Sequence, residues 1–372
     1  MFWFYLQFMP IVPWLALCWL FVRPLKLPRA WALLCALALL ALSQKHVWFK
    51  LAGGDMLRPE IPLWLHFAAN WGPAFSLSLL FLCLLPPYHL PKGGKAARWR
   101  AAIASAVAAV IATLALWEGA RAPSVRVVEV PVPGLPADLD GFRIAHLSDL
   151  HDSVATIHGQ FDRIAETVNS LAPDVVCITG DFVDGTPETR GGELSGLSQI
   201  RASSGVYGCS GNHDAYSGFA LWRPILQSYG IEIIDGRSVT IPVGSSAVSL
   251  GAVADGAFGS LRPFGGGGDA IADAFAGAPA ESVKVLLRHR PDGLADAADR
   301  GIALQLSGHT HGGQIPLLDL LIARFNEGHV RGLYREGGTY LHVSPGTGQW
   351  AGFPYRLFIR SEITLLVLRP IC

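Results

Sequence analysis

The C-terminal part of the sequence repeats one arrangement, in which a short apolar run is followed at once by a polar loop. These loops contain Asp149–His151, Gly180–Asp181, Gly211–Asp214, His289 and Gly308–Gln314. Short apolar runs bounded by such loops predict buried strands. In an open α/β sheet, the loops at the carboxyl ends of the strands gather at one place, where functional sites form. The order of the loops therefore predicts an α/β fold with one shared pocket.

The last loop reads GHTHGGQ and holds two histidines one residue apart, His309 and His311. Two imidazoles at this spacing between glycines can point to one position, which favours metal binding. Asp149 and His151 have the same spacing in an extended segment, so their side chains point the same way. His289 alone predicts only a structural histidine, but it follows an apolar run and lies between the other motifs in the sequence, which adds it to the candidate ligands.

A structural role is the better interpretation for the histidines outside these motifs. They are His46, His66, His89, His146, His158, His329 and His342. Asp214 is interpreted as a turn or capping residue. Asp152 and Asp255 are interpreted as loop carboxylates, with a position near the pocket left open for both.

The N-terminal third has a different composition. The mean hydropathy of the chain is +0.36, and only 16% of its residues are charged, which is not typical of a soluble globular protein. The apolar excess lies before Pro123, in four stretches near residues 1–22, 30–49, 61–85 and 101–117. Their lengths approach the about 20 residues that a helix needs to cross a bilayer. We therefore predict a membrane region over residues 1–120 with about four transmembrane helices, followed by a catalytic domain over residues 124–372.

Two of these stretches leave alternatives open. The second has a continuous apolar core only from Ala30 to Leu42, so a buried or re-entrant helix is the alternative to a span. The first has no cationic leader and contains Pro10 and Pro13, which favours a retained anchor over a cleaved signal peptide.

Charge asymmetry predicts the orientation in the membrane. If all four segments span, one side carries Arg23, Lys26, Arg29, Lys92, Lys95, Arg98 and Arg100. The positive-inside rule places that side in the cytoplasm. The loop with Lys45, Lys50 and Arg58 and the catalytic domain are then extracytoplasmic. Loss of the second span would reverse this orientation.

The cysteines and the net charge exclude few classes of protein. The six cysteines show no metal-binding or redox spacing. A disulfide between Cys177 and Cys209 is one interpretation, and buried free thiols are the favoured one. The formal net charge is zero, which gives no argument for a nucleic-acid partner.

Apolar runs place the strands of the second domain. They are predicted at Val125–Val132, Phe142–Leu147, Val175–Thr179, Gly205–Cys209, Ile231–Ile234, Ala247–Val253, Val283–Leu287, Ala303–Leu306, Tyr340–Val343 and Ile363–Leu368. Apolar residues at helical spacing predict a helix over Ile157–Leu171. Gly265–Gly268 is predicted to be a surface loop rather than a phosphate-binding loop.

The ordered series DLH, GD, GNHD, a lone His and GHTHGG resembles the calcineurin-like metallophosphoesterase superfamily, in its membrane-anchored bacterial branch. Pro354–Arg356 and Glu362-Ile363 also resemble that branch. The resemblance implies an α/β fold, a two-sheet αββα sandwich, here preceded by a helical membrane region with several spans. It also implies a two-metal site at the strand ends.

The resemblance assigns the ligands. Asp149, His151 and His311 would hold one metal. Asn212, His289 and His309 would hold the other, and Asp181 would bridge the two. Independently, a carboxylate can bridge two divalent ions about 3.5–4 Å apart, which suits phosphoryl transfer to water. Without a cysteine ligand, the set fits Mn, Fe or Zn.

Two further residues are assigned to proton transfer. His213 follows Asn212 and would act as the general acid at the leaving oxygen, and Asp184 matches the family aspartate that pairs with this histidine. Protein phosphatases of the superfamily carry an arginine after that aspartate, whereas this chain has Gly185. A phosphoprotein substrate is therefore disfavoured, and Arg288 or Arg290 is the candidate replacement for the missing phosphate contact.

These expectations combine into one function. The chain is predicted to be a membrane-anchored, metal-dependent phosphoesterase of the bacterial inner membrane that acts on a lipid-linked or cell-envelope phosphoester. The alternative is a catalytically idle metal-binding scaffold that keeps the fold. A transporter is disfavoured because the apolar stretches contain almost no charged residues. Residues 316–325, PLLDLLIARF, predict either a membrane-facing surface or core packing. The oligomeric state is not predicted.

Overall fold

The computed structural model describes residues 10–54, 60–89, 93–190, 192–258 and 270–371. The predictions that concern Met1–Met9, Arg58, Lys92, Gly265–Gly268 and Cys372 lie outside these residues. The chain divides into two compact units. The N-terminal unit comprises Met1–Ala120 together with Ala351–Leu357, and the C-terminal unit comprises Arg121–Trp350 together with Phe358–Cys372. The short segment 351–357 thus groups with the membrane region and not with the domain that surrounds it in sequence.

The N-terminal unit is built from apolar helices. They are α1 (Ile11–Leu17), α2 (Arg29–Ser43), α3 (Lys45–Leu51), α4 (Leu63–Leu84) and α5 (Gly94–Gly119), and a π-helix and a 3-10 turn extend α1 to Leu25. By length and composition, α4 and α5 can each cross a membrane. Helices α2 and α3 qualify only as a pair that is bent by 66°. The predicted total of about four spans stays a prediction, and the second stretch is the one that is broken.

Lys45 changes the charge count behind the predicted orientation. Its side chain is buried inside the N-terminal unit, where the ammonium group lies 3.4 Å from Asn70 Oδ1 and also contacts the carbonyl oxygen of Gly352. A buried lysine does not belong to an exposed loop. Two described lysines, Lys45 and Lys50, were predicted to lie in the outside loop. Of these, only Lys50 is exposed.

Two six-stranded sheets form the C-terminal unit. The first has the order β1-β12-β2-β3-β4-β5 and the second the order β10-β11-β9-β8-β7-β6. The strands are β1 (Ser124–Val132), β2 (Arg143–Leu147), β3 (Val175–Thr179), β4 (Val206–Cys209), β5 (Ile231–Ile233), β6 (Ser238–Val243), β7 (Ser246–Val253), β8 (Val283–Arg288), β9 (Leu304–Ser307), β10 (Gly332–Glu336), β11 (Thr339–Val343) and β12 (Glu362–Pro370). Within each sheet the central strands β2–β4 and β7–β9 run parallel, so their carboxyl ends lie at one edge.

Helices cover the outer faces of the two sheets. They are α6 (Gln160–Ser170), α7 (Pro187–Arg190), α8 (Asn212–Tyr216), α9 (Phe219–Ser228), α10 (Ala270–Ala274), α11 (Leu294–Asp299) and α12 (Leu318–Phe325). Phe161 of α6 and Trp222 of α9 pack on the first sheet, and Ile271 of α10 packs on the second. A core between the sheets includes Ile144 and Leu287. The layers are therefore helix, sheet, sheet, helix, which confirms the predicted αββα sandwich.

The ten strands predicted from apolar runs are all present, and their observed ends lie within two residues of the predicted ones. Strands β6 and β10 were not predicted, because both are edge strands with largely exposed or half-buried residues. Helix α6 begins at Gln160 and not at Ile157 as predicted. Gly159 precedes it in the left-handed conformation, and Ile157 is 48% exposed outside the helix.

Candidate metal centre

Each predicted ligand follows the end of a strand. Asp149 follows β2, Asp181 follows β3, Asn212 follows β4, His289 follows β8, and both histidines of the GHTHGGQ loop follow β9. The two sheets therefore contribute to one site, which explains why loops far apart in sequence meet.

The backbone of this site is strained. Asp149, His151, Asp181, His309 and His311 have φ angles of 52°, 47°, 54°, 70° and 48°. Residues with a side chain rarely adopt this left-handed conformation, which costs about 1–3 kcal/mol per residue. Strain of this kind is typical of functional sites, where the surrounding fold holds the side chains in one arrangement.

One group of side chains consists of Asp149, His151 and His311. His151 Nε2 lies 3.1 Å from His311 Nε2. Asp149 Oδ1 lies 3.6 Å from His311 Nε2 and 4.0 Å from His151 Nε2. These atoms face one another, as the ligands of a single ion do.

A second group consists of Asp181, His289 and His309. Asp181 Oδ2 lies 3.2 Å from His289 Nε2 and 3.7 Å from His151 Nε2 of the first group. The Asp181 carboxylate therefore reaches both groups. Asn212 is placed beside it, since the backbone N–H of His213 donates to Asp181 Oδ1 at 2.8 Å.

The residues fit the metal ions that the sequence predicts. Asn212 Oδ1 is buried and accepts no hydrogen bond from any described residue. A buried amide oxygen without a donor is costly, and a cation would satisfy it. Burial by itself lowers the pKa of His289, but the carboxylates of Asp181 and Asp149 outweigh it and raise this pKa to about 10. The site is therefore strongly attractive to positive charge, and the clustered donors are candidate ligands for divalent ions.

His213 lies beside these groups, against Asp184. The distance between His213 Nδ1 and Asp184 Oδ1 is 2.6 Å, which confirms the predicted contact. Burial by itself lowers the pKa of His213, but Asp184 and Asp181 raise it to about 9. Asp184 has a second partner that the sequence did not indicate, since its Oδ2 lies 3.1 Å from His151 Nδ1. One carboxylate thus orients both a candidate ligand and the candidate acid.

Two aromatic rings pack against His213. The ring centroids of Tyr216 and Trp350 lie 5.6 Å and 5.2 Å from that of His213. Neither ring was assigned to the site from the sequence. For Tyr216, the available signal was its position three residues after His213, on the next turn of α8.

Asp214 supports the site without belonging to either group. Its carboxylate accepts hydrogen bonds from the backbone N–H groups of Asp181, Phe182 and Gly211 at 2.8–2.9 Å. This agrees with the capping role predicted for it. Asp255 binds Arg290, which in turn contacts His309 of the second group.

Arg290 reaches the second group, and Arg288 does not. Arg290 Nη1 donates to His309 Nε2 at 3.0 Å, and its Nε donates to Asp255 Oδ2 at 2.8 Å. Arg288 instead pairs with Asp292 at 2.7 Å. Of the two arginines that the sequence offered, the structure places only Arg290 against a candidate ligand.

Gly308 gives the first prediction from this geometry. A Cβ atom at Gly308 would collide with Ser148 Oγ and with the carboxylate of Asp149. We expect Gly308→Ala to displace Asp149 and to lower bound metal to a small fraction of the wild-type content, as measured by elemental analysis of the purified protein. Gly277→Ala is the control, because Gly277, like Gly308, has no positive φ, and no atom lies within 4 Å of its Cβ position. Equal metal content in Gly308→Ala and wild type would contradict the prediction.

Comparison with known proteins agrees with this geometry. The profile of the calcineurin-like phosphoesterases (Metallophos) matches residues 142–313, a range that includes every candidate ligand. A bovine transmembrane protein with metallophosphoesterase domain is 32% identical over 80% of this chain and 72% of its own length. The chain belongs to the calcineurin-like phosphoesterase family. The enzyme class predicted from the motifs is thereby confirmed at the level of the family.

Other relatives come from animals and bacteria. The zebrafish transmembrane protein with metallophosphoesterase domain is 36% identical over 72% of this chain, and this chain spans 62% of the length of that relative. An uncharacterized metallophosphoesterase of Campylobacter jejuni is 33% identical over 67% of this chain and 64% of its own length. Helices α4 and α5 and the transmembrane relatives together indicate a membrane protein.

The five described cysteines are free. Cys177 and Cys209 form no disulfide, and both are buried. Burial raises the pKa of the Cys209 thiol well above its usual range. The favoured interpretation from the sequence, buried thiols, is confirmed for these two residues.

Proposed function

We propose that this protein hydrolyses phosphoesters at a centre of two divalent metal ions. The position of Asp181 carries the proposal, because its carboxylate lies within 4 Å of nitrogen donors from both groups. Asp149, His151 and His311 would hold one ion, and Asn212, His289 and His309 the other, with Asp181 between them. Mn, Fe and Zn all suit this set of oxygen and nitrogen donors. When bound, such a pair lowers the pKa of a shared water and stabilises charge on the phosphoryl oxygens.

His213 would supply a proton to the leaving oxygen. Its raised pKa keeps the ring protonated at neutral pH, and Asp184 fixes the orientation through Nδ1, which leaves Nε2 for the leaving group. The rings of Tyr216 and Trp350 border this position. Both would limit the access of water to the leaving group.

Arg290 would hold a phosphoryl oxygen. Its Asp255 partner keeps the planar guanidinium in place at the edge of the second group, and 31% of its side chain is exposed toward solvent. A fork of N–H donors matches a phosphate group in geometry and charge. Arg290 would thus replace the arginine that protein phosphatases of the superfamily carry at the position of Gly185.

The second prediction concerns removal of the Arg290 guanidinium group. We expect Arg290→Gln to lower kcat/KM for phosphoesters by about 10²–10³, because a donor to the transition-state charge is lost. Arg288→Gln is the matched control and should change kcat/KM little. Since Arg290 also contacts His309, metal content must be measured in both variants. A normal kcat/KM in Arg290→Gln at full metal content would exclude this role.

We propose further that helices α4 and α5 anchor the protein in a bacterial inner membrane, with the catalytic domain on the extracytoplasmic side. The charges of Lys95, Arg98 and Arg100 at the start of α5 support this orientation, because they favour a cytoplasmic connection between α4 and α5. The test is the accessibility of an epitope after Pro370 to protease in intact spheroplasts. Protection of the epitope would place the domain in the cytoplasm.

Metal removal tests the proposed reaction, and is the third prediction. A detergent-solubilised full chain should lose all detectable phosphoesterase activity on chelation and regain it with Mn, Fe or Zn. The substrates to be compared are phosphomonoesters, phosphodiesters and phospholipid pyrophosphates. Binding of metal without turnover of any of them would instead favour the idle scaffold.

A further inference from the structure

Helix α12 exposes an apolar face directly after the candidate metal loop. It contains no buried residue. Leu317, Leu320, Leu321 and Phe325 are 58%, 69%, 52% and 75% exposed. Core packing, one of the two interpretations from the sequence, is therefore excluded for these side chains. A cluster of large exposed apolar side chains on one short helix marks a surface that meets a partner.

The helix is fixed to the metal loop. A Cβ atom at Gly313 would collide with the backbone and Cβ of Asp319, so the first turn of α12 packs closely on that loop. Arg331 joins them, since its Nη1 donates to the carbonyl oxygen of Gly312 at 2.6 Å and to Asp319 Oδ2 at 3.3 Å. A partner that binds the exposed face is therefore held at a fixed distance from the candidate ligands.

Cationic residues border the apolar face. Arg331 also lines a cavity of about 260 Å³ together with Arg126, Arg360 and Phe358. Phe358 is 85% exposed and has a φ of 63°, so a large apolar ring is held outward on a strained backbone. The arginines outnumber the one carboxylate in the cavity, Glu362, whose side chain is only 12% exposed. An apolar face beside arginines is complementary to the acyl chains and phosphates of a lipid layer.

The sequence brings this face close to a membrane. Ser124, at the edge of the cavity, follows the last residue of the candidate span α5 by five residues. Five extended residues cover about 17 Å. The covalent chain alone therefore keeps the cavity near a bilayer that α5 crosses.

We propose that Leu317, Leu320, Leu321, Phe325 and Phe358, with Arg126, Arg331 and Arg360, form a docking surface for a bilayer of anionic phospholipid. This inference rests on the proposed function and names its substrate class: a phosphoester of a membrane lipid, delivered from the bilayer to the metal loop that α12 adjoins. Apolar side chains enter the acyl region, and the guanidinium groups bind headgroup phosphates.

Photocrosslinking of the full chain in nanodiscs tests the surface directly. Phe325→p-benzoylphenylalanine should give lipid adducts by mass spectrometry in phosphatidylglycerol discs. The same probe at Leu221, which is 60% exposed on α9, is the matched control and should give few. Adding Arg126→Gln and Arg360→Gln should lower the adduct yield severalfold in phosphatidylglycerol discs and little in phosphatidylcholine discs. Adducts between two protein chains, or no lipid adducts, would overturn the docking surface.

A kinetic ratio separates this inference from the proposed function. In Leu320→Ser/Leu321→Ser, the rate on long-chain lipid phosphoesters in vesicles should fall about tenfold relative to the rate on a soluble aryl phosphate. Leu221→Ser should leave this ratio unchanged. An unchanged ratio in the double variant would contradict the docking surface but not the proposed function. Lipid adducts in a metal-loaded protein that hydrolyses neither substrate would contradict the proposed function but not the docking surface.

Discussion

Asp181→Asn should remove nearly all phosphoesterase activity, by about 10³-fold or more, because the Asp181 carboxylate lies within 4 Å of nitrogen donors from both groups of candidate ligands. The amide keeps the oxygen that accepts the N–H of His213 but loses the negative charge that would lie between the two proposed ions. We therefore expect the fold to persist while metal content falls. The measurements are kcat/KM, metal content by elemental analysis, and the circular dichroism spectrum.

Asp296→Asn is the control for this loss. Asp296 is a half-exposed carboxylate paired with Arg300 in α11, outside the site. Its substitution should leave both activity and metal content near the wild-type values. Full activity of Asp181→Asn with only one ion bound would contradict a bridging role and favour two independent metal sites or a single catalytic ion.

His213→Asn should slow hydrolysis of an alkyl phosphoester by about 10²–10⁴, because a strongly basic leaving oxygen needs a proton in the transition state. An aryl ester with an activated leaving group should be affected much less. Metal content should stay near normal, since the proposed ligand set does not include His213. The measurement is the ratio of kcat values for the two esters in the variant and in the wild type.

His158→Asn is the matched control, since its side chain is 97% exposed and contacts only Glu193 among the described residues that bear charge. Equal slowing of both esters by His213→Asn, or loss of an ion, would show that His213 is a ligand or a structural residue. Asp184→Asn is expected to differ from His213→Asn in its effect on metal binding. Asp184 also binds His151, so we expect its substitution to lower metal affinity as well.

Much of the fold follows from local sequence patterns. Each of the ten predicted strands contains buried apolar residues, and their apolar runs can be recognised in the sequence without knowledge of the neighbouring strands. Edge strands β6 and β10 were missed because their burial depends on a partner strand that the local sequence does not reveal. The predicted start of α6 was wrong because Gly159, in the left-handed conformation, precedes the helix, which therefore begins at Gln160, about one turn later than Ile157.

The residues that the structure brings together in the candidate site were also predictable from the sequence. Motif loops that end parallel strands must meet at one edge of a sheet, so Asp149, Asp181 and His309 could be assigned to one pocket before the structure was known. The choice between Arg288 and Arg290 could not be made, because the two residues flank His289 symmetrically in sequence. Only the pairing of Arg288 with Asp292, and of Arg290 with Asp255, distinguishes them.

The residue types of the candidate metal centre, and the order of the loops that carry them, follow from the sequence alone, because both depend on strand periodicity and short motifs. Three features are visible only in the tertiary structure. Asp184 contacts His151 as well as His213, Arg290 contacts His309, and the apolar residues of α12 are exposed. Each of these facts depends on which other element the side chain contacts. A local pattern specifies that a residue is apolar or charged, whereas packing between distant segments decides what it contacts.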